Sequence, residues 1–159
     1  NLLLLCLLCF NLCLLYSINQ LQGYTMNDKS LIIDKIVEGY ITTCLWSSVD
    51  QDDKGCETFF DEFEPSPQLK GEVYHLCALF YDQNESDCSL FAEEYQPSHD
   101  YDVWECLGHD LWLTSAGHGV GFWDRGLDEL GERLTKACQQ KPYRDKCAYL
   151  GDDQLVYLA

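Results

Sequence analysis

Positive charge is scarce in this chain. Ten Lys and Arg stand against 27 Asp and Glu in 159 residues, a formal net charge of -17. A surface of that balance repels nucleic-acid phosphates and anionic membranes. Nucleic acid is therefore excluded as a partner, and so is membrane for residues 26–159; basic partners are favoured. The one basic cluster is Lys136, Lys141, Arg144 and Lys146. Chemical signatures are also missing. There is no H-E-x-x-H, no Gly-Lys-Ser/Thr after a glycine-rich turn and no G-x-S-x-G. Their absence removes the motif-based case for a zinc protease, a P-loop nucleotide site and a serine-hydrolase elbow. Internal repeats are lacking too.

Methionine occurs once, at Met26, and no charged side chain precedes Asp28. Residues 1–16 read NLLLLCLLCFNLCLLY. This run falls short of the roughly 20 residues a spanning helix needs. Its length suits a signal-peptide core, but no cationic leader precedes it and no small-x-small cleavage site stands near Ser17–Gly23. Two readings follow: a truncated secretory leader, or an upstream segment over 1–25 with the native protein starting at Met26. Of 10 cysteines, three lie in the leader (Cys6, Cys9 and Cys13), which leaves an odd seven with no C-x-x-C pair. Cys44, Cys77, Cys106 and Cys138 fall among apolar residues at helical spacing, as small buried hydrophobes do. The expectation is a reducing compartment, with secretion the alternative if 1–25 is a true signal segment.

Periodicity predicts a single, mainly α domain over 26–159, with four to five helices and a small C-terminal β-hairpin. The first helix is expected over 30–47, capped by Ser30, with Ile33, Val37, Tyr40, Ile41, Cys44 and Leu45 on one face. An acidic loop should fill 48–67. Further helices are expected over 67–82 (Leu69, Val73, Leu76, Cys77, Phe80), 87–95, 99–114 (capped by Ser98; Trp104, Leu107, Leu111, Thr114) and 127–140 (Leu127, Leu130, Leu134, Cys138). Strand-like runs at 146–150 and 154–158 flank Gly151-Asp152-Asp153, a hairpin signal.

The densest chemistry is GHDLWLTSAGHGVGFWDRG, Gly108 to Gly126. Polar and aromatic side chains beside flexible backbone suit either a binding site or a tightly packed helical corner. The candidate binding residues are Trp112, His118, Phe122, Trp123, Asp124 and Arg125. Candidates for metal or acid–base chemistry are His109, Asp110, His118 and Asp124. On a helix, His109 and Asp110 are about 100° apart and should not point together. As a structural corner, the stretch would bury Trp112 and Trp123, let Asp124 cap the last helix and pair Arg125 with a carboxylate or with carbonyls ending the fourth helix. Cys106 and His109, at i and i+3, are a weak nucleophile–base pairing with no third group. Asp128 and Glu129 open the helix after the glycines and disfavour phosphate there. Asp50, Asp52, Gly55 and Asp61 match four positions of a calcium loop, but Lys54 sits where an oxygen ligand belongs, so a solvated acidic loop is expected. No cofactor is implied.

The segments His109-Asp110-Leu111-Trp112-Leu113-Thr114 and His118-Gly119-Val120-Gly121-Phe122-Trp123-Asp124-Arg125-Gly126 resemble the H-D-x-W-L-T and H-G-x-G-F-W-D-R-G pattern of a family of small uncharacterised proteins of tailed bacteriophages. Leu45-Trp46-Ser47-Ser48, Leu130-Gly131-Glu132-Arg133-Leu134-Thr135 and Tyr149-Leu150-Gly151-Asp152-Asp153 with Val156-Tyr157 are similar to further parts of that pattern, so the resemblance covers about 36–158. Leu111 replaces Phe, and Gln154 replaces Gly after the Asp pair. The resemblance implies a phage-like protein of the host-cell cytoplasm and starts near Met26; it carries no activity to transfer. The function expected is an accessory protein that binds a protein partner through the Gly108–Gly126 corner or its acidic surface. The alternatives are a metal-dependent or His/Asp acid–base enzyme and an acidic DNA mimic.

Overall fold

The computed structural model describes residues 28–51, 57–98 and 101–159. Contacts divide the chain into residues 1–32 and Ile33–Ala159; the following concerns the second unit, apart from the start of its first helix. Five α-helices and two small sheets make up the described residues: α1 (28–47), α2 (Pro67–Gln83), α3 (Glu85–Glu94), α4 (Val103–Ser115) and α5 (Asp128–Cys138). The architecture is mainly helical with a C-terminal strand pair, as the periodicity predicts. None of the described helices is long and apolar enough to cross a membrane.

The apolar steps of α2 account for its placement. Leu69, Val73, Leu76, Cys77 and Phe80 are all buried. Ser66 starts the helix: its Oγ accepts from the Leu69 N–H at 3.0 Å, with Pro67 at the first helical position. Two other expected caps are corrected. The helix is already running at residue 28, two residues ahead of Ser30. For α4 the cap is Asp102 rather than Ser98, its carboxylate accepting from the Trp104 N–H at 2.8 Å.

The stretch over 48–67 is not a plain loop. Strands β1 (Val49–Gln51) and β2 (Glu57–Phe59) pair antiparallel, with Val49 opposite Phe59. A 3-10 turn over Phe60–Glu62 buries Phe60, and β3 (Glu64–Pro65) runs parallel to the last strand. Val49, Thr58 and Phe59 have the β-prone side chains that the high charge of this stretch concealed. Asp52 and Gly55 of the calcium-loop pattern lie outside the described residues. The C-terminal hairpin forms as expected from β4 (Ala148–Leu150) and β5 (Leu155–Leu158), with Tyr149 opposite Tyr157. Strand β5 is central, between β3 and β4. The Ser66 N–H donates to the Val156 carbonyl at 2.9 Å, tying the start of α2 to the hairpin.

The buried face of α1 is rotated from the expected one. Ile33, Ile36, Tyr40, Thr43 and Cys44 are buried, whereas Val37, Ile41 and Leu45 are only half-buried. The cause is the crossing with α4, which is a backbone contact. A Cβ on Gly39 would lie 1.9 Å from the Glu105 carbonyl oxygen, and one on Gly108 would lie 1.9 Å from that of Ile36. Only glycine at both positions permits this approach.

Candidate functional site

The glycine-rich corner begins where α4 ends. Gly117 has φ +75°, a left-handed conformation suited to glycine, and the His118 N–H returns to the Leu113 carbonyl at 2.9 Å. The chain then enters a 3-10 turn over Phe122–Asp124. Asp124 Oδ1 accepts from the Gly121 N–H at 3.1 Å and so closes this turn. It does not cap α5, whose preceding residue Leu127 makes no side-chain cap. That expectation is corrected, as is the burial of Trp123, which is 44% exposed.

Two of the proposed binding residues belong to the core. Phe122 is fully buried, 6.4 Å from Phe80 in a stacked arrangement and 5.7 Å from Phe91 edge-on. Trp112 is 1% exposed, packs edge-on against Tyr40 at 5.4 Å, and donates from Nε1 to Ser47 Oγ at 2.8 Å. The Ser47 hydroxyl donates onward to the Thr43 carbonyl at 2.6 Å, so the indole dipole is satisfied through α1.

The remaining candidates separate onto two surfaces. His118 and Trp123 line a cavity of about 560 Å³ with Thr114, Gln139 and Arg144. His109, Asp110 and Arg125 line a different cleft, of about 640 Å³, alongside α1 and α4. The four residues considered for acid–base or metal chemistry are therefore not gathered at one point. Among the described residues no group of three or more His, Cys, Asp or Glu side chains could hold a metal ion.

The floor of the larger cleft is an ion pair between buried Asp110 and partly exposed Arg125. Asp110 is 1% exposed, and Arg125 donates to both of its oxygens, from Nε at 2.8 Å and from Nη2 at 2.5 Å. Pairing of Arg125 with a carboxylate was expected. The hydrogen bonds from Arg125 to Asp110 and the adjacent negative charge raise its pKa above the ordinary value despite partial burial. A forked, charge-assisted pair of this kind fixes both side chains. One expectation fails here: His109 Nδ1 does lie 3.2 Å from Asp110 Oδ1. Consecutive helical residues diverge by about 100° at the backbone, but the Asp110 carboxylate, held by Arg125, is within reach of the imidazole. A carboxylate bound to Arg only accepts, so the imidazole Nδ1 is the donor in this contact.

The cleft walls are residues that the sequence did not single out as a site. Trp46, 49% exposed, comes from the last turn of α1, and its ring lies 5.8 Å from that of His109, tilted by 34°. Tyr95 follows α3, and Tyr101, 65% exposed, precedes α4. Glu38 and Glu105 complete the rim. Both bind Lys35, Glu105 at 2.5 Å and Glu38 at 3.2 Å, and these carboxylates raise the lysine pKa, Glu105 most. Burial raises the Tyr95 phenol, against an opposing effect of Arg125. Burial, reinforced by Asp110, also raises the Cys106 thiol, which disfavours the thiolate that a nucleophile paired with His109 would need. The arrangement can stack, hydrogen-bond and orient a guest.

Only Trp46 carried a usable signal, as an isolated Trp in the Leu45-Trp46-Ser47-Ser48 segment. Tyr95 and Tyr101 are joined to the site by the fold alone. Comparison with family models, with curated proteins and with solved structures yields no match to this chain.

Proposed function

We propose that the protein is a phage-type accessory protein that binds a protein partner, and that the cleft beside α1 and α4 is the contact site. The observation that carries this reading is the pair of half-exposed aromatics, Trp46 and Tyr101, over a rigid floor of Asp110 and Arg125. Exposed Trp and Tyr beside a buried polar anchor are the residues on which binding energy concentrates at protein interfaces. The floor costs little to organise on binding, because Arg125 and Asp110 already hold one another. The phage-type origin rests on the motif spanning His109 to Gly126, and the partner on the acidic surface and this cleft together.

Affinity capture from infected host cells tests the reading. A Trp46→Ala/Tyr101→Ala variant should lose a partner that the wild type retains, whereas a His118→Ala/Trp123→Ala variant at the other cavity should keep it. Retention of the same partner by the first variant and loss by the second would move the contact site to the other cavity.

A further inference from the structure

The chemistry of the cleft selects its guest. We infer that it receives a cationic side chain, an Arg or Lys presented by a segment of the partner protein; this rests on the partner-binding reading above. The lining includes the aromatic rings of Trp46, Tyr95, Tyr101 and His109, together with three carboxylates, Glu38, Glu105 and Asp110. An indole or phenol face attracts a cation through its quadrupole, and most strongly where water is partly excluded. A volume of about 640 Å³ accommodates one long side chain with adjoining backbone.

The charges decide between a cation and an anion. Arg125 lines the cleft and is engaged by both oxygens of Asp110, and Lys35, outside the lining, is engaged by the rim carboxylates Glu105 and Glu38. Three carboxylates thus face two cations, within a chain whose formal net charge is -17. An anionic guest would meet Glu38 and Glu105 at the rim. Trp46 also stands in the last turn of α1, where the final carbonyls of a helix carry partial negative charge. Aromatic walls, rim carboxylates and a helix C-terminus all favour the same sign.

The probe is a tetra-arginine peptide, with tetra-glutamate as its counterpart, titrated into the full chain while the Trp46 indole N–H signal is followed by NMR. Tetra-arginine should shift that signal saturably, and tetra-glutamate should not. Trp46→Leu, an exposed position whose replacement leaves the core intact, should weaken tetra-arginine binding about twofold to thirtyfold. Glu105→Gln should weaken it as well, by releasing Lys35 toward the guest. Trp123→Leu, at the other cavity, should leave the affinity unchanged. Equal affinity in wild type and Trp46→Leu, or binding of tetra-glutamate at the Trp46 signal, overturns the inference. If partner capture still depends on Trp46 in that case, the partner-binding reading stands and only the cationic guest is lost. If capture is also indifferent to Trp46, the cleft is not the contact site.

Discussion

Gly108 and Ile36 meet backbone to backbone: a Cβ added to Gly108 would lie 1.9 Å from the Ile36 carbonyl oxygen and 2.8 Å from the Tyr40 nitrogen. This contact sets how closely α4 lies on α1, and so how near His109 comes to Trp46. In an unobstructed helix, alanine is favoured over glycine by about 1 kcal/mol. At Gly108 the obstruction is backbone and cannot rotate away, so the clash should win. Gly108→Ala is expected to destabilise by about 1–3 kcal/mol, the range for overpacked cores. Gly71→Ala is the control, since that helical position has nothing within 4 Å; it should stabilise by about 0.5–1 kcal/mol. Urea unfolding of the two variants checks the sign at each site.

The Asp110–Arg125 pair makes a second prediction. Removing one partner leaves the other charge partly buried, which typically costs about 3–5 kcal/mol. Arg125 keeps some solvent access, so Asp110→Ala should fall toward the lower end of that range. The double variant Asp110→Ala/Arg125→Met should be more stable than Asp110→Ala alone, because no unpaired charge remains. A double-mutant cycle by denaturant unfolding measures the coupling; additive single effects would show that the pair is not a unit.

The two tryptophans of the corner should behave oppositely. Trp112 is buried and hydrogen-bonded, and Trp112→Ala is expected to cost about 3–5 kcal/mol. Trp123 is 44% exposed, so Trp123→Ala should cost less than about 1 kcal/mol. Thermal midpoints of the two variants decide this, and similar losses would contradict the packing described.

The buried thiols give a pH dependence. Cys44, Cys77, Cys88, Cys106, Cys138 and Cys147 are free, and Cys56 lies outside the described residues. Burial pushes the Cys44 and Cys88 thiols up from 9.0 to about 12, and lifts Cys77 and Cys138 higher still. Burial likewise raises Tyr143 from 10.0 to about 12. A folded-state pKa above the unfolded one means that the folded chain holds its proton more tightly. The stability linked to the thiols is therefore intact below pH 9 and falls between pH 9 and about 12, as the unfolded thiols ionise first. Unfolding free energy measured at successive pH values should decline over that window. In the folded protein near neutral pH, exposed Cys147 should react with a thiol reagent well before the buried four.

Much of the helical framework is legible from apolar spacing, because α2 and α5 each bury one continuous stripe: Leu69 to Phe80, and Leu127 to Cys138. The hairpin was legible from the Gly151-Asp152-Asp153 turn. The third strand was not, since Glu64-Pro65 has no strand period and is placed by pairing with Leu155 and Val156. The site was half legible. The segment containing His109, Asp110 and Arg125 stands out by composition, but its residues divide between two cavities and the core, a partition set by how α4 meets α1 and by the 3-10 turn. Trp46, Tyr95 and Tyr101 join the cleft from three separate stretches of chain, and nothing local to any of them announces the others.

The most direct test of the cleft as the contact site is site-specific photo-crosslinking in cells that produce the protein. A photoreactive phenylalanine derivative is placed at Trp46 in one protein and at Trp123 in another; both positions are exposed, so either variant should fold. The cleft account predicts a discrete crosslinked partner band from position 46 and none from position 123. A band from position 123 alone would contradict it.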